Sequence, residues 1–208
     1  ELLIDLFRVP CHGSPLAAQA LVRFIAELLQ AITAHYWSRA IQVTARLQLA
    51  DLVLAGSDTA EALAQSTGID QWRLSRFMRA LVALGVFTKS GDRYALTEKG
   101  SYLARETPGH LNDIARTHYY LFPAWTALED VLRTGQGGYE LSTGKRQFDA
   151  MADMPEFAEV FDLTMNQVFA PETDAMIKEF DFGRYGLLMD VGGGNGEVLI
   201  AALKAYPE

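Results

Sequence analysis

The chain has 208 residues, half of them apolar and 21% charged, which is typical of a globular protein and excludes an intrinsically disordered one. Residues 106–208 carry 7 Lys and Arg against 17 Asp and Glu, so nucleic acid is an unfavourable partner. The single cysteine, Cys11, excludes an internal disulfide and a cysteine-based zinc site. The sequence has no signal-peptide pattern and no run long enough to span a membrane, which predicts a cytoplasmic protein.

The first predicted element is a long helix. Ser14 and Pro15 have the pattern of an N-cap followed by proline at the first helical position. From Leu16 to about Ala50, apolar residues recur at steps of three and four, as on one side of a helix. These residues are too numerous for one buried face, which indicates a dimer interface, with an ordinary core helix as the alternative.

Residues 58–96 predict two helices followed by a β-hairpin. The first helix follows Asp58 and ends at Gly68, and the second ends at Gly85. The sequence VFTKSGDRYALT then alternates around a turn at Ser90-Gly91-Asp92. Two helices and a hairpin in this order predict a winged-helix unit.

Three arginines on the second of these helices raise the possibility of a DNA-binding regulator. Arg73, Arg76 and Arg79 lie on one helical side, from which they could contact phosphates. A solvated, salt-bridged helix face explains the same pattern, and the acidity of the whole chain favours that second interpretation.

The remaining elements predict a helical region and then the start of an α/β unit. A short helix over 97–105 ends at Thr107-Pro108-Gly109, the predicted domain boundary. The expected elements after it are helices at about 111–121 and 122–134, an exposed glycine-rich loop at 134–145, a helix from Pro155 to about Phe180 interrupted at Pro171, a turn at 181–183, a strand over 187–191 and a helix over 197–205.

The glycine-rich turn between this last strand and helix is the most informative motif. Its residues read Asp-x-Gly-x-Gly-x-Gly, from Asp190 through Gly192 and Gly194 to Gly196. A P-loop would require Lys and Ser or Thr after its last glycine, and a dinucleotide fingerprint would require Gly or Ala where Glu197 stands. Glycines let the backbone turn sharply and lie against a cofactor, and the acid can pair with a positively charged cofactor group.

This turn and its context resemble the S-adenosylmethionine-dependent small-molecule O-methyltransferases of the caffeic acid, hydroxyindole and polyketide type. The resemblance covers about residues 31–208 and is carried by ARLQLADLVLAG, LSRFMRALVALGVFT, YALTEKGSYL, FPAWTALEDVLRTG and LLMDVGGGNGEVLIAAL. It implies S-adenosylmethionine as the cofactor, a small-molecule acceptor with a hydroxyl group, and a homodimer formed through the N-terminal domain. The expected cofactor-binding residues are Asp190, Gly192, Gly193, Gly194, Asn195 and Gly196.

The resemblance also suggests an acceptor pocket. Phe161 and Met165 match a Phe-x-x-x-Met pair that contacts the aromatic acceptor in plant members, although Phe169 stands where the family often has serine. His118 and Trp125 fall where the connecting helices could line the same pocket. Core packing is the alternative for all four. The family's histidine base lies well downstream of the glycine motif, so it is expected beyond Glu208 and none of the four histidines matches it.

The sequence thus predicts a mainly α chain in three parts. These are a winged-helix dimerisation domain over 1–105, a helical connector lining the substrate pocket over 106–180, and the first strand and helix of a Rossmann-like domain over 181–208. A non-catalytic, dimerising relative of the methyltransferases is the remaining alternative, alongside the DNA-binding regulator. Neither nucleic acid nor membrane is an expected partner.

Overall fold

The computed structural model describes residues 15–207, so the N-cap predicted at Ser14 and the thiol of Cys11 lie outside the described residues. The chain divides into two units, residues 1–41 and 42–208. Helix α1, Pro15–Arg46, begins in the first unit. Within the described part of that unit, many large apolar side chains of α1 are exposed: Leu21, Phe24, Leu28, Leu29, Ile32, Tyr36 and Trp37.

The predicted helix from Leu16 to Ala50 is wrong at its C-terminal end. Helix α1 ends at Arg46, and a second helix, α2 (Leu49–Leu54), begins after Gln48, whose φ of 53° is left-handed. This turn redirects the chain so that Leu49 and Ala50 become buried. Tertiary burial therefore decides the break, which the three- and four-residue periodicity alone does not reveal.

Two helices and a hairpin follow, as the sequence predicts. Their bounds are α3 at Ala60–Thr67, α4 at Gln71–Ala83, β1 at Phe87–Ser90, β2 at Arg93–Leu96 and a short α5 at Glu98–Ser101. Side chains cap both longer helices, because Thr59 accepts from Ala62 N at 3.1 Å and Asp70 accepts from Arg73 N at 3.0 Å. The strands pair antiparallel, from Phe87 opposite Leu96 to Ser90 opposite Arg93.

The hairpin packs against the helices through a close backbone approach at Gly100. A Cβ at this position would overlap the carbonyl oxygen of Val86, so only glycine fits. The core around it consists of fully or nearly fully buried apolar side chains: Leu49, Leu63, Leu74, Met78, Leu81, Val86, Phe87 and Tyr94. These side chains, which come from α2, α3, α4 and the hairpin region, are therefore covered by other elements of the same chain.

The connecting region consists of five helices. They are α6 at Asn112–Thr126, α7 at Leu128–Thr134, α8 at Gly138–Thr143, α9 at Gln147–Asp153 and α10 at Pro155–Glu179. The glycine-rich segment is not the predicted exposed loop, since it contains α8 and its Tyr139 is buried. Tyr139 stacks on Phe157 at 6.1 Å, so an aromatic contact folds a segment whose local composition favours a loop.

The predicted interruption at Pro171 is also wrong, because α10 continues through it. A proline inside a helix removes one hydrogen bond, and packing along the rest of a 25-residue helix can offset that loss. Helix α10 packs on α6, where the Thr117 hydroxyl donates to the carbonyl of Val160 at 2.9 Å. A buried aromatic and aliphatic core joins the two helices.

The last part of the chain differs most from its prediction. A 3₁₀ turn at Phe182–Arg184 and helix α11, Glu197–Ala205, are present, but residues 187–191 form no strand. A parallel strand requires a neighbour for its backbone hydrogen bonds, and the described residues supply none there. In the described part of the chain, no helix combines the length and hydropathy that crossing a bilayer requires.

Candidate functional site

The glycine-rich turn and the apolar side of α10 share one cavity. Its volume is about 740 Å³, within the usual range for a small-molecule site. The turn contributes Asp190, Gly192, Gly193, Gly194 and Asn195, and α11 contributes Glu197 and Val198. The opposite wall is formed by side chains of α9 and α10: Phe148, Met151, Ala152, Ala158, Phe161, Asp162, Met165, Asn166, Phe169 and Thr173.

The backbone of the turn explains why glycine alternates in its sequence. Gly192, Gly194 and Gly196 have φ values of 80°, 57° and 82°, a region that other residues rarely adopt. Gly193 lies against the Asp190 carboxylate, so an added Cβ there would require that side chain to move. The turn closes with Gly196 N donating to Gly193 O at 2.8 Å, directly before the first residue of α11.

The wall opposite the turn is aromatic. Phe148 and Phe161 meet edge to face, with ring centroids 6.1 Å apart and planes at 86°. Phe161 in turn meets Phe157 at 6.3 Å and 89°, and Phe157 is fully buried. Met165 follows Phe161 by one helical turn and lines the same cavity. The buried ring thus supports the two rings that border the open space.

A polar cluster holds the first turn of α10. Arg116 donates to Glu156 at 2.9 Å, and Arg46 lies 3.0 Å from the other carboxylate oxygen of Glu156. Burial raises the pKa of Glu156, but hydrogen bonds from Arg116 and Tyr120 and the charge of Arg46 outweigh it, so the pKa is lowered. Burial, reinforced by its hydrogen bond to Glu156, raises the pKa of Tyr120 to about 12. This cluster ties the helix of the cavity wall to α6 and to the last turn of α1.

The structure brings together only part of the predicted site. Phe161, Met165 and five of the six turn residues border the cavity, whereas Gly196, the residue directly before α11, does not. His118 and Trp125 are exposed on α6 and do not line this cavity, so their substrate contact stays a prediction. The described histidines are likewise absent from its lining.

The lining residues that the sequence analysis missed include Phe148, Asp162 and Asn166. Phe148 belongs to α9, a helix that the sequence analysis does not predict. Asp162 and Asn166 are next to Phe161 and Met165 and four residues apart, so the helical period could have placed them on the same side. No group of three or more potential metal ligands occurs among the residues that the structure describes.

Two family models match most of the chain. An O-methyltransferase domain matches residues 125–208, and an O-methyltransferase dimerisation domain matches residues 29–106. A solved O-methyltransferase from neocarzinostatin biosynthesis, in complex with S-adenosylmethionine and 2-hydroxy-5-methyl naphthoic acid, superimposes with a TM-score of 0.74. It is 29% identical, and the match covers 82% of this chain and 54% of that one.

Several relatives have sequence identities to this chain of about the same level. Phenazine-1-carboxylate N-methyltransferase of Pseudomonas aeruginosa is 36% identical, over 86% of this chain and 54% of its own length. An O-methyltransferase of Streptomyces lavendulae is 34% identical, over 82% and 52%. An aclacinomycin 10-hydroxylase of Streptomyces purpurascens is 33% identical, over 80% and 46%. The chain thus spans about half the length of these relatives, and it belongs to the O-methyltransferase family, with the dimerisation domain and the start of the methyltransferase domain both present.

Proposed function

We propose that the protein to which this chain belongs is an S-adenosylmethionine-dependent O-methyltransferase that methylates a hydroxyl group of a small aromatic or polyketide-like molecule. One observation carries the proposal: a single cavity lies between the Asp190–Gly196 turn and the aromatic side of α10. Such a cavity can hold a cofactor on one wall and an aromatic acceptor on the other, which is what methyl transfer requires.

The turn fits the cofactor that the family uses. Gly192, Gly193 and Gly194 present backbone without side chains toward the cavity, and Asp190 lines it beside them. Asp190, Gly192, Gly193, Gly194, Asn195 and Gly196 would hold the cofactor, with the carboxylate pairing with a positively charged group. When bound, S-adenosylmethionine supplies an electrophilic methyl group on sulfur.

The aromatic wall would position the acceptor. Phe148 and Phe161, which meet edge to face, line the cavity with rings against which a planar acceptor could pack, and Met165 supplies a flexible apolar contact beside them. Together these side chains would hold the acceptor oxygen toward the turn and exclude water from the reacting atoms. The deprotonating group is not assigned to any described residue, because no described histidine lines the cavity.

We infer further that the N-terminal part is a winged-helix dimerisation domain rather than a DNA reader. The order α3, α4, β1, β2 is that of a winged helix, and the match to a dimerisation domain over residues 29–106 supports pairing of two chains. The exposed apolar side chains of α1 would be covered in a homodimer. In this division, residues 106–180 connect that domain to the methyltransferase domain that begins at about residue 181.

Cofactor binding is the direct test. We expect isothermal titration of the full-length protein with S-adenosylmethionine or S-adenosylhomocysteine to show one site per chain. An absence of heat at millimolar cofactor would reject the proposal. Binding without methyl transfer to any phenolic acceptor would instead favour a non-catalytic relative, a relevant outcome because one relative is named a hydroxylase.

A single substitution in the turn sharpens this test. Alanine at Gly194 must adopt a φ near 57°, which costs about 1–2 kcal/mol. The free variant can relax its turn and must restore it on binding, so we expect about tenfold weaker S-adenosylhomocysteine binding. Gly137→Ala is the matched control, because Gly137 has a φ of −66° and no atom within 4 Å of an added Cβ. Equal affinities of the two variants would contradict the assignment of the turn.

A further inference from the structure

The cavity lining carries negative charge without a positive counterpart. Asp162 contributes a carboxylate from α10, and Asp190 and Glu197 contribute carboxylates from the opposite side. Among residues 15–207, no Lys or Arg side chain lines this space. A ligand that enters it therefore meets an acidic environment, which favours cations and disfavours anions.

Asp162 is the acid best placed to meet an acceptor. It lies between Phe161 and Met165 on the aromatic wall, whereas Asp190 and Glu197 belong to the turn and α11. Its side chain is half-buried, and within the described residues it forms neither a hydrogen bond nor an ion pair. Glu156, on the same helix, is by contrast neutralised by Arg46 and Arg116. A partly desolvated, unpaired carboxylate gains free energy when a ligand supplies the missing partner.

A polar neighbour extends the same surface. Asn166 follows Asp162 by one helical turn, lines the cavity and is also half-buried without a hydrogen-bond partner in the described part of the chain. Its amide can donate or accept, so it adds no charge preference of its own. The two side chains together make a polar strip along an otherwise apolar wall, between Phe161, Met165 and Phe169.

We propose that Asp162 is a specificity-determining residue, and that the pocket takes aromatic acceptors that are cationic or carry a neutral hydrogen-bond donor, and selects against aromatic carboxylates. This inference rests on the proposed function, because it assumes that the aromatic wall receives the acceptor. It predicts a preference opposite in charge to the carboxylates in the names of two similar proteins, a phenazine-1-carboxylate methyltransferase and a solved neighbour in complex with a naphthoic acid.

Three probes with one ring system test the inference. At pH 7, 2-naphthylmethylamine is a cation, 2-naphthol is neutral and 2-naphthoate is an anion. Their affinities for the full-length protein are measured by titration in the presence of saturating S-adenosylhomocysteine. We expect the cation to bind at least as tightly as the neutral probe, and both to bind more tightly than the carboxylate.

Substitution of Asp162 should remove this discrimination. In Asp162→Asn, we expect the affinity for the cation to fall about threefold to tenfold and that for the carboxylate to rise by a similar factor. Naphthol should change less than about twofold, because it carries no charge to interact with the lost carboxylate. Asp162→Glu should retain the order of the wild type, and Asn166→Asp should strengthen the preference for the cation.

Asp174→Asn is the matched control. Asp174 lies on the same helix, is exposed and does not line the cavity, so the variant loses the same charge outside the site. Tightest binding of naphthoate to the wild type, equal shifts in Asp162→Asn and Asp174→Asn, or binding of no probe would each reject the inference. So would an Asp162→Asn variant that weakens only the cofactor.

The same titrations distinguish this inference from the proposed function. Normal S-adenosylhomocysteine affinity with a reversed probe order rejects the role of Asp162 and leaves the methyltransferase proposal standing. If S-adenosylhomocysteine does not bind, the three probes are titrated without it. Binding in the expected order of charge would then support the pocket preference, while the lack of cofactor binding would reject the methyltransferase proposal. Circular dichroism of each variant confirms that affinities refer to folded protein.

Discussion

Two regions of the second unit, both rich in apolar residues, have opposite outcomes. Between α2 and α5, side chains such as Leu63, Leu74 and Phe87 are almost completely buried. In the segment before the glycine turn, Leu187, Met189 and Val191 are 87%, 80% and 87% exposed. The difference lies in the partners, because the helices and hairpin complete each other locally, whereas a parallel strand needs a neighbouring strand from a distant part of a sheet.

The comparison shows that a local apolar pattern predicts a β-strand reliably only where the strand that pairs with it is close in the sequence. The hairpin has its partner strand two residues away, so β1 and β2 form with full register. Residues 187–191 form a similarly apolar run, but no described strand pairs with its backbone. Exposed apolar residues without a paired strand are typical of an uncovered sheet edge.

The largest expected difference between the two regions comes from truncating one leucine in each. Leu63→Ala removes a fully buried side chain and should lower the free energy of unfolding by about 3 kcal/mol. Leu187→Ala should change it by less than about 0.5 kcal/mol in the 208-residue chain, because the side chain is exposed. Urea unfolding of both variants provides the measurement, and a comparable loss in the two would contradict the comparison.

Replacing one glycine by alanine in each of the same two regions tests how tightly each region is packed. Gly100→Ala should lower the free energy of unfolding by about 2 kcal/mol or more, because the Cβ overlaps the carbonyl of Val86. Gly186→Ala is the control from the terminal segment, where an added Cβ has no atom within 4 Å. Thermal melting of the two variants should give a clear loss only for the first. An unchanged melting temperature for Gly100→Ala would mean that the hairpin can move away from α5.

A smaller effect on the free energy of unfolding is expected at a position that polar rather than apolar contacts hold in place. Glu156→Gln weakens the contact with Arg116, whose side chain is only 9% exposed, and should cost about 1–2 kcal/mol. Because the folded pKa of Glu156 is lowered, its contribution to stability is present above the unfolded pKa of 4.5 and is lost as the pH falls through the folded value. The variant should therefore differ from wild type at pH 7 and converge with it near pH 3.

The matched control for this pH dependence is Glu159→Gln, an exposed position on the same helix. Melting temperatures across the pH range should be nearly those of the wild type for this variant. A difference between Glu156→Gln and wild type that stays constant from pH 7 to about pH 3 would show that Glu156 is not stabilised as a carboxylate.

Much of the fold was predictable because its signals are local. The helix start after Asp58, the terminating glycines Gly68 and Gly85 and the Ser90-Gly91-Asp92 turn each depend on local residues, and the structure confirms these predicted boundaries to within a few residues. The errors lie where long-range packing prevails over local preference. Tyr139 folds a glycine-rich segment by stacking on Phe157, and packing keeps α10 continuous through Pro171.

For the site, the sequence by itself determined the backbone of the turn, because glycine adopts the left-handed conformation at residues 192, 194 and 196 with little strain and the spacing of those glycines is a local property. Tertiary structure alone decided what faces that turn. Helices α9 and α10 bring Phe148, Asp162 and Asn166 across the cavity from it, although they precede it by tens of residues. A cavity depends on contacts between distant segments, so no local pattern specifies which side chains share it.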